Sequence, residues 1–139
     1  MAKKPSSNPS QNNSVTFVEG SMWIPSVVDA QKDTPNILQK IQEFMKFKEA
    51  NPLALFGNKD FALGAIKNPY AKYLSKARKA HLTNDISIIY ELSGKNPTTI
   101  KLYGVFTHAD LGTGQPSNPR KSEQMAKRLA VSEDDNTSF

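Results

Sequence analysis

The sequence contains no cysteine, which excludes disulfides, thiolate zinc sites and catalysis by a cysteine nucleophile. Only two histidines occur among its 139 residues, too few for a histidine-rich metal site. No stretch approaches the roughly 18 consecutive apolar residues that a membrane helix requires. The basic start, "MAKKPSSNPSQNN", is not followed by the apolar core of a secretory signal. The sequence therefore predicts a cytoplasmic protein that uses no metal or other cofactor and binds no membrane.

Positive charge is concentrated in the middle of the chain. The net charge is +5, and residues 57–108 hold eight Lys/Arg against three Asp/Glu, whereas the segments before and after are nearly balanced. Both histidines lie in this basic segment. A local excess of cations is typical of proteins that bind phosphate groups, so the charge favours a polyanionic partner such as nucleic acid.

The order of predicted elements indicates an α+β fold, with N-terminal helices packed on a small antiparallel β-sheet. "VTFVEG" predicts a first strand, and "SMWIPSVVDAQKD" is compatible with a short helix that has Pro25 in its first turn. "DTPNILQKIQEFMKFKEANP" has clear helical spacing; Asp33 or Thr34 can cap this helix, which should end before Pro52. The glycine- and proline-containing segment at 53–74 is expected to be irregular.

Three strands are predicted after this segment, in "KARKAHL", "DISIIYEL" and "TTIKLYGVFTH". The dipeptide at 83–84 can join the first two by a tight turn, and "SGKNP" can join the last two as a hairpin. In each of the last two strands, alternation predicts which side chains share one face of the sheet. These are Ile86, Ile88, Tyr90 and Leu92 in "DISIIYEL", and Ile100, Leu102, Phe106 and His108 in "TTIKLYGVFTH".

Composition divides the chain into three parts. Residues 1–13 lack large apolar side chains and are predicted to be a disordered tail. Residues 14–112 form the predicted folded domain. Residues 113–139 form a C-terminal extension, in which "PRKSEQMAKRLA" suggests a short helix and "VSEDDNTSF" a frayed end.

Two histidines beside cations are enough for one known chemistry, the cleavage of RNA without a metal. This reaction needs a base for the 2′-hydroxyl, an acid for the leaving 5′-oxygen and cations for the charged transition state. Imidazole suits the first two roles because its ordinary pKa, about 6.5, lies near working pH. His81 and His108 are the candidates, with Lys79 on the same strand face as His81 and Arg78 on the opposite one.

Each of these residues also has a structural interpretation. A histidine near a strand end is often a polar cap, and Asp85 can bond its own backbone in a turn. Lys101, a further candidate for binding RNA or stabilising the transition state, is equally compatible with a solvated surface. Spacing alone leaves both interpretations open.

Three blocks, "NKDFAL" (58–63), "RKAHLTNDISIIYEL" (78–92) and "GVFTHADLG" (104–112), resemble in order and spacing those of YafQ-like mRNA interferase toxins of the RelE/ParE superfamily. The resemblance implies a small basic ribonuclease that cuts mRNA in the ribosomal A site and is silenced by an acidic antitoxin. By position, His81, Asp85 and His108 match active-site residues of the family, and Arg78 matches the arginine of the same block. His108 is then the general acid, and His81, oriented or assisted by Asp85, the base or a phosphate ligand.

Under this resemblance, Arg78 and Lys79 would stabilise the transition state. The sequence departs from the family pattern at Phe61, Ile86 and Gly112, where the family has a histidine, often a tryptophan, and usually an aromatic residue. The leading hypothesis is therefore a toxin with endoribonuclease activity. The alternatives are a toxin or regulator of the same fold that acts by binding alone, and a basic nucleic-acid-packaging protein.

Overall fold

The computed structural model describes residues 15–57, 59–63, 68–94, 98–113 and 116–137. The elements within these ranges are β1 (Val15–Glu19), α1 (Trp23–Asp33), α2 (Ile37–Ala50), β2 (Asp60–Ala62), α3 (Asn68–Tyr73), β3 (Arg78–His81), β4 (Ile86–Ser93), β5 (Thr98–Thr107), α4 (His108–Leu111) and α5 (Pro119–Thr137). The tail predicted at 1–13 lies outside them, as does most of the predicted "SGKNP" turn.

The five strands form one sheet in the order β1-β5-β4-β3-β2. Neighbouring strands from β2 to β5 are antiparallel, as predicted for β3, β4 and β5, whereas β1 lies parallel to β5. The connection from β1 to β5 contains the other three strands and three helices, which gives the chain the length that a parallel pair requires. The α+β prediction is confirmed, with a mixed sheet in place of a purely antiparallel one.

Helices cover both faces of the sheet and bury a separate apolar cluster on each. The first cluster packs α1 and α2 against side chains that include Ile88, Tyr90 and Leu102. The second packs α3, α4 and α5 against Ile89 and Tyr103. Since neighbouring strand residues point to opposite faces, Ile89 and Tyr90 belong to different clusters. Helices α1 and α2 confirm the helical predictions, and α2 ends before Pro52. The predicted cap is wrong: α2 begins at Ile37 with Asn36 as its N-cap, because Asp33 and Thr34 belong to the end of α1.

The predicted facing of β4 is confirmed, but that of β5 holds only in part. Ile100 and Leu102 lie in the first cluster, as predicted, whereas Phe106 lies in the second, and Val105 takes the place on the first face. A bulge at Tyr103 causes the change, because Tyr90 pairs with Leu102 while Ile89 pairs with Gly104. One extra residue in a strand reverses the facing of every residue beyond it.

Two elements occur where irregular chain was expected, and one helix is longer than predicted. The segment at 53–74 contains the short strand β2 and the helix α3. In the C-terminal extension α5 continues to Thr137, through most of the stretch expected to fray. Met125, Ala126 and Leu129 on α5 are buried in the second cluster, so packing supports this helix. None of the helices in the described ranges has the length and apolar character needed to cross a bilayer.

Candidate active site

The two histidines of the chain meet at one edge of the second sheet face. His81 is the last residue of β3, and His108 is the first residue of α4, directly after β5. Strand β4 runs between these two strands, yet the imidazoles reach each other: their Nε2 atoms are 3.1 Å apart. Ser87, a small residue, occupies the intervening position on β4, paired with His81 on one side and Phe106 on the other.

The short contact between the rings has a consequence for their protons. An Nε2 to Nε2 hydrogen bond requires one nitrogen to carry a hydrogen and the other to offer a lone pair. The pair therefore holds one donor and one acceptor at the same point, and a group that enters between the rings meets both. This arrangement is the one that combined acid and base catalysis uses.

Asp85 lies against His108, not against His81. Its Oδ1 atom is 3.6 Å from His108 Nδ1 and accepts a hydrogen bond of 3.3 Å from the His108 backbone N–H. The expected assistance of His81 by Asp85 is therefore wrong. The reason is that β4 pairs with β5 up to this point, and the Asp85 carbonyl also accepts from the His108 N–H, at 3.2 Å. Asp85 can orient His108 and stabilise its protonated ring.

Burial lowers the pKa of both histidines below the ordinary value. For His81 the nearby Lys79 ammonium lowers the pKa further, and a hydrogen bond with the Lys59 backbone raises it in part. For His108 burial and Lys79 also lower the pKa, but the Asp85 carboxylate raises it in part. The electrostatics thus favour His108 as the ring that holds a proton and His81 as the ring that is free to accept one.

Two lysines supply positive charge beside this pair. Lys79 was predicted to share the face of His81, and its charge acts on both histidines. Its side chain is almost fully buried, and burial together with the Lys59 charge lowers its pKa. Lys59 is exposed, and its carbonyl accepts a 3.0 Å hydrogen bond from the His81 N–H. Sequence reasoning missed Lys59; only its place in the block "NKDFAL" pointed to it.

The structure places the other two predicted cations away from the histidines. Arg78 faces the opposite side of β3 and binds Asp60: its Nε atom is 3.0 Å from Oδ1, and its Nη2 atom is 3.0 Å from the Asp60 carbonyl oxygen. Lys101 lies on β5 opposite Glu91, six residues before Thr107, which is roughly 20 Å at the usual strand rise. Arg78 is away from the site because neighbouring residues of β3 point to opposite faces of the sheet. Lys101 is away from it because it lies near the far end of β5.

Asp60 is the centre of a buried network that fixes β2 beside β3. Its carboxylate accepts hydrogen bonds from the Tyr90 hydroxyl (2.6 Å), the Phe56 N–H (2.8 Å) and Arg78. Lys48 Nζ lies 3.6 Å from the same carboxylate and is itself buried. Because Asp60 stands between Lys59 and Phe61, this network positions both of these residues at the site.

Phe61 is the aromatic neighbour of the histidine pair. Its ring lies edge-on to His81, with centroids 6.4 Å apart, and Lys79 Nζ is 5.8 Å from its centroid. In the family pattern a histidine stands at this position. Phe61 cannot exchange a proton, so it can contribute only an apolar and aromatic surface to this site.

The end of α4 is held by α3 and α5. The Leu111 carbonyl accepts hydrogen bonds from the Tyr70 hydroxyl (2.7 Å) and the Ser122 hydroxyl (2.8 Å). Gly112 ends α4 with a φ of +73°, and a Cβ there would lie 2.5 Å from the Asn118 carbonyl oxygen and from Ser122 Oγ. Gly112, the third departure from the family pattern, thus gives α5 the space to pack against the helix that carries His108.

Two buried polar atoms at the site lack a hydrogen-bond partner within the described part of the chain: His81 Nδ1 and Ser87 Oγ. These residues face each other across β3 and β4. The described ranges also contain no group of three or more His, Cys, Asp or Glu side chains arranged to hold a metal ion.

No protein-family model matches the sequence, and no curated protein matches it. Solved structures do match. A chain of the E. coli DinJ-YafQ complex aligns with a TM-score of 0.53 and 23% identity, covering 71% of this chain and 97% of the other. A YafQ mutant from E. coli aligns at 0.51 and 24% identity, over 71% and 97%. The YoeB/ParE toxin from Agrobacterium tumefaciens aligns at 0.53 and 15% identity, over 67% and 98%.

These likenesses define the fold as that of RelE-like toxins. The fold that the three sequence blocks implied is therefore confirmed. The matched chains are covered almost completely, whereas nearly a third of this chain lies outside the alignments.

Proposed function

We propose that this chain is the toxin of a type II toxin–antitoxin system, a metal-independent endoribonuclease that cleaves mRNA on the ribosome. The observation that carries the proposal is the 3.1 Å contact between His81 Nε2 and His108 Nε2. It brings two imidazoles, each able to hold or release a proton, to one point beside two lysines, on the fold that the matched toxins share. The second face of the sheet would receive the scissile phosphate at this point.

In the proposed reaction His81 is the base. Its neutral ring takes the proton of the ribose 2′-hydroxyl at Nε2, and the 2′-oxygen attacks the adjacent phosphorus. His108 is the acid: its protonated ring gives the Nε2 proton to the 5′-oxygen as the P–O5′ bond breaks. The products are a 2′,3′-cyclic phosphate and a 5′-hydroxyl, with the proton moved from one histidine to the other.

The charges around the pair support these roles. The Asp85 carboxylate lies beside His108 and favours the protonated form that an acid must hold before the reaction. Lys79 lies close enough to lower the pKa of both rings, so its ammonium also lies close enough to stabilise the negative charge that develops on the phosphate. Arg78 takes no part in the proposed reaction, because Asp60 holds it on the opposite face.

An acidic antitoxin is the proposed protein partner. The net charge of +5 and the basic segment at 57–108 favour an acidic protein as well as RNA. The likeness to a chain of the DinJ-YafQ toxin-antitoxin complex supports this part of the proposal. The proposed place of action is the cytoplasm, where translated mRNA is available.

Cleavage of mRNA on programmed ribosomes, in the presence of EDTA, tests the proposal. We expect the purified chain to produce 2′,3′-cyclic phosphate and 5′-hydroxyl ends. His81→Ala and His108→Ala should each reduce the rate by about 10²- to 10⁴-fold, the usual contribution of a positioned acid or base. Lys32→Ala, a change of an exposed lysine on α1, is the control and should cleave like the unmodified chain.

Three results would contradict the enzyme proposal: no cleavage by the unmodified chain, cleavage that EDTA abolishes, or cleavage that survives both histidine changes. If expression of the chain stops bacterial growth while mRNA remains intact, the alternative of a toxin that acts by binding alone replaces it. Omitting the ribosomes from the reaction shows whether cleavage depends on them.

A further inference from the structure

An aromatic ring is left partly open to solvent beside the proposed catalytic pair. Phe61 on the edge strand β2 is 37% exposed, and its ring lies edge-on to His81. The His81 ring also contacts the ring of His108, its partner in the proposed reaction. A ligand bound at the histidine pair therefore lies next to the Phe61 ring.

Lys79 and the buried Asp60 network hold the Phe61 ring in position. Phe61 pairs with Lys79 across β2 and β3, and Lys79 Nζ, almost fully buried, lies 5.8 Å from the ring centroid. The preceding residue, Asp60, is held by the buried network with Lys48 and Arg78. A ring fixed in this way loses little conformational entropy when it stacks on a ligand.

The chemistry of the ring limits what it can bind. Phe61 has neither a hydrogen-bond donor nor a strong acceptor, so it recognises flat apolar surfaces and does not contact a phosphate. Next to a phosphodiester in RNA, the flat surface is the nucleobase of the adjoining nucleotide. Exposed Lys59, close enough for its charge to act on both histidines, can hold a phosphate of the same strand.

We propose that Phe61 is the stacking platform for one unpaired nucleobase next to the scissile phosphate, and that Lys59 binds the backbone beside that base. The inference rests on the proposed ribonuclease function and adds the binding subsite to it. The residue that replaces the family histidine thus has a binding role in this chain, while acid and base catalysis remain with His81 and His108.

A double-mutant cycle tests this subsite. It combines a change of Phe61 with an mRNA that lacks one nucleobase next to the cleaved bond. The substrates are mRNAs on programmed ribosomes that are intact or carry an abasic ribose on either side of the cleaved bond. For the unmodified chain, one abasic position should reduce kcat/KM by about 5- to 150-fold, the usual value of one stacked base. Phe61→Leu should cause a similar loss with intact mRNA but should be insensitive to that abasic position.

Two further variants separate stacking from simple packing. Phe61→Tyr keeps an aromatic ring and should keep the sensitivity to that abasic position, which Phe61→Leu should lose. Leu55→Ala removes another exposed apolar side chain and should change nothing. Thermal unfolding of each variant confirms that it is folded.

The possible failures are distinguishable. If the unmodified chain cleaves no RNA, the proposed function fails and the subsite fails with it. If it cleaves, but Phe61→Leu cleaves equally well or the two losses are simply additive, the subsite alone is refuted and the histidine mechanism stands.

Discussion

His81 Nε2 and His108 Nε2 lie 3.1 Å apart although β4 separates the strands that position them. The contact is possible because the intervening residue, Ser87, is small and because each histidine stands at the end of its strand. The site therefore depends on how well the end of β3 and the start of α4 are held.

Gly112 is expected to be more important for stability than a glycine of similar backbone conformation elsewhere. Gly57 and Gly112 both have a φ of +73°, but a Cβ at Gly57 meets no described atom within 4 Å, whereas one at Gly112 overlaps Asn118 and Ser122. Gly57→Ala should lose about 1 to 2 kcal/mol from backbone strain alone. Gly112→Ala should lose about 1 to 3 kcal/mol more through overpacking. Urea unfolding measures both, and equal losses would contradict the role given to the α4–α5 contact.

Asp60 is expected to be a major source of stability, because it is the carboxylate partner of Lys48 and Arg78. Asp60→Asn leaves the buried Lys48 ammonium without a compensating charge, and we expect a loss of about 3 to 5 kcal/mol in the free energy of unfolding. Asp29→Asn is the matched control, because Asp29 pairs with Lys32 on the exposed surface. Its loss should stay below about 1 kcal/mol. Similar effects of the two changes in urea unfolding would rule out the network as a stabilising centre.

Local patterns were sufficient to predict several parts of the fold and the site. The helical spacing of α2 and the alternation of β4 depend only on neighbouring residues, and both predictions are confirmed. Alternation also assigned Lys79, and not Arg78, to the face of His81. The structure agrees, whereas the resemblance to the family had placed Arg78 at the site.

The features that sequence reasoning missed depend on contacts between distant segments. Strand β2 has only three residues, too few for a recognisable alternation, and it exists because it pairs with β3. The bulge at Tyr103 follows from the register of β5 against β4 and leaves no local signal. The prediction that Asp85 assists His81 was wrong for the same reason. Asp85 is four residues from His81 in the sequence, but the sheet places its carboxylate beside His108.

Ser87 is expected to support the charged form of His81. The Leu82 N–H donates to the Ile86 carbonyl at 2.8 Å, so the next pair along the strands, His81 and Ser87, is the closely spaced type. We expect a χ1 rotation of the buried Ser87 side chain to bring Oγ toward His81 Nδ1, which lacks a side-chain partner in the described part of the chain and donates a hydrogen when the ring is protonated. Removing this acceptor disfavours the protonated ring, so Ser87→Ala should lower the pKa of His81 further.

Nitrogen NMR titration of the two imidazoles measures this effect, and His108→Gln assigns their signals because the chain has no third histidine. Ser93→Ala, at the exposed far end of β4, is the control and should leave both titrations unchanged. A His81 titration that is the same in Ser87→Ala and in the unmodified chain would show that the hydroxyl has no such role.

Asp85 is expected to set the alkaline limit of activity through His108. The carboxylate raises the pKa of His108, against burial and Lys79, and an acid must be protonated before it reacts. Asp85→Asn removes this effect, so the pKa of His108 should fall and the alkaline limb of the kcat/KM profile should move to lower pH. The shift should be less than about one pH unit, because Asp85 is 66% exposed and solvent screens its charge. The acidic limb, which reports the neutral form of His81, should move little.

The control for this prediction is Asp110→Asn on the same short helix, whose carboxylate lies 4.0 Å from Lys121 and does not act on the pKa of His108. NMR titration of His108 gives the same comparison without relying on cleavage. An alkaline limb that stays in place or moves upward in Asp85→Asn would contradict the assignment of His108 as the acid. A downward shift confined to the acidic limb would reverse the roles of the two histidines, since the ring that Asp85 contacts would then be the base.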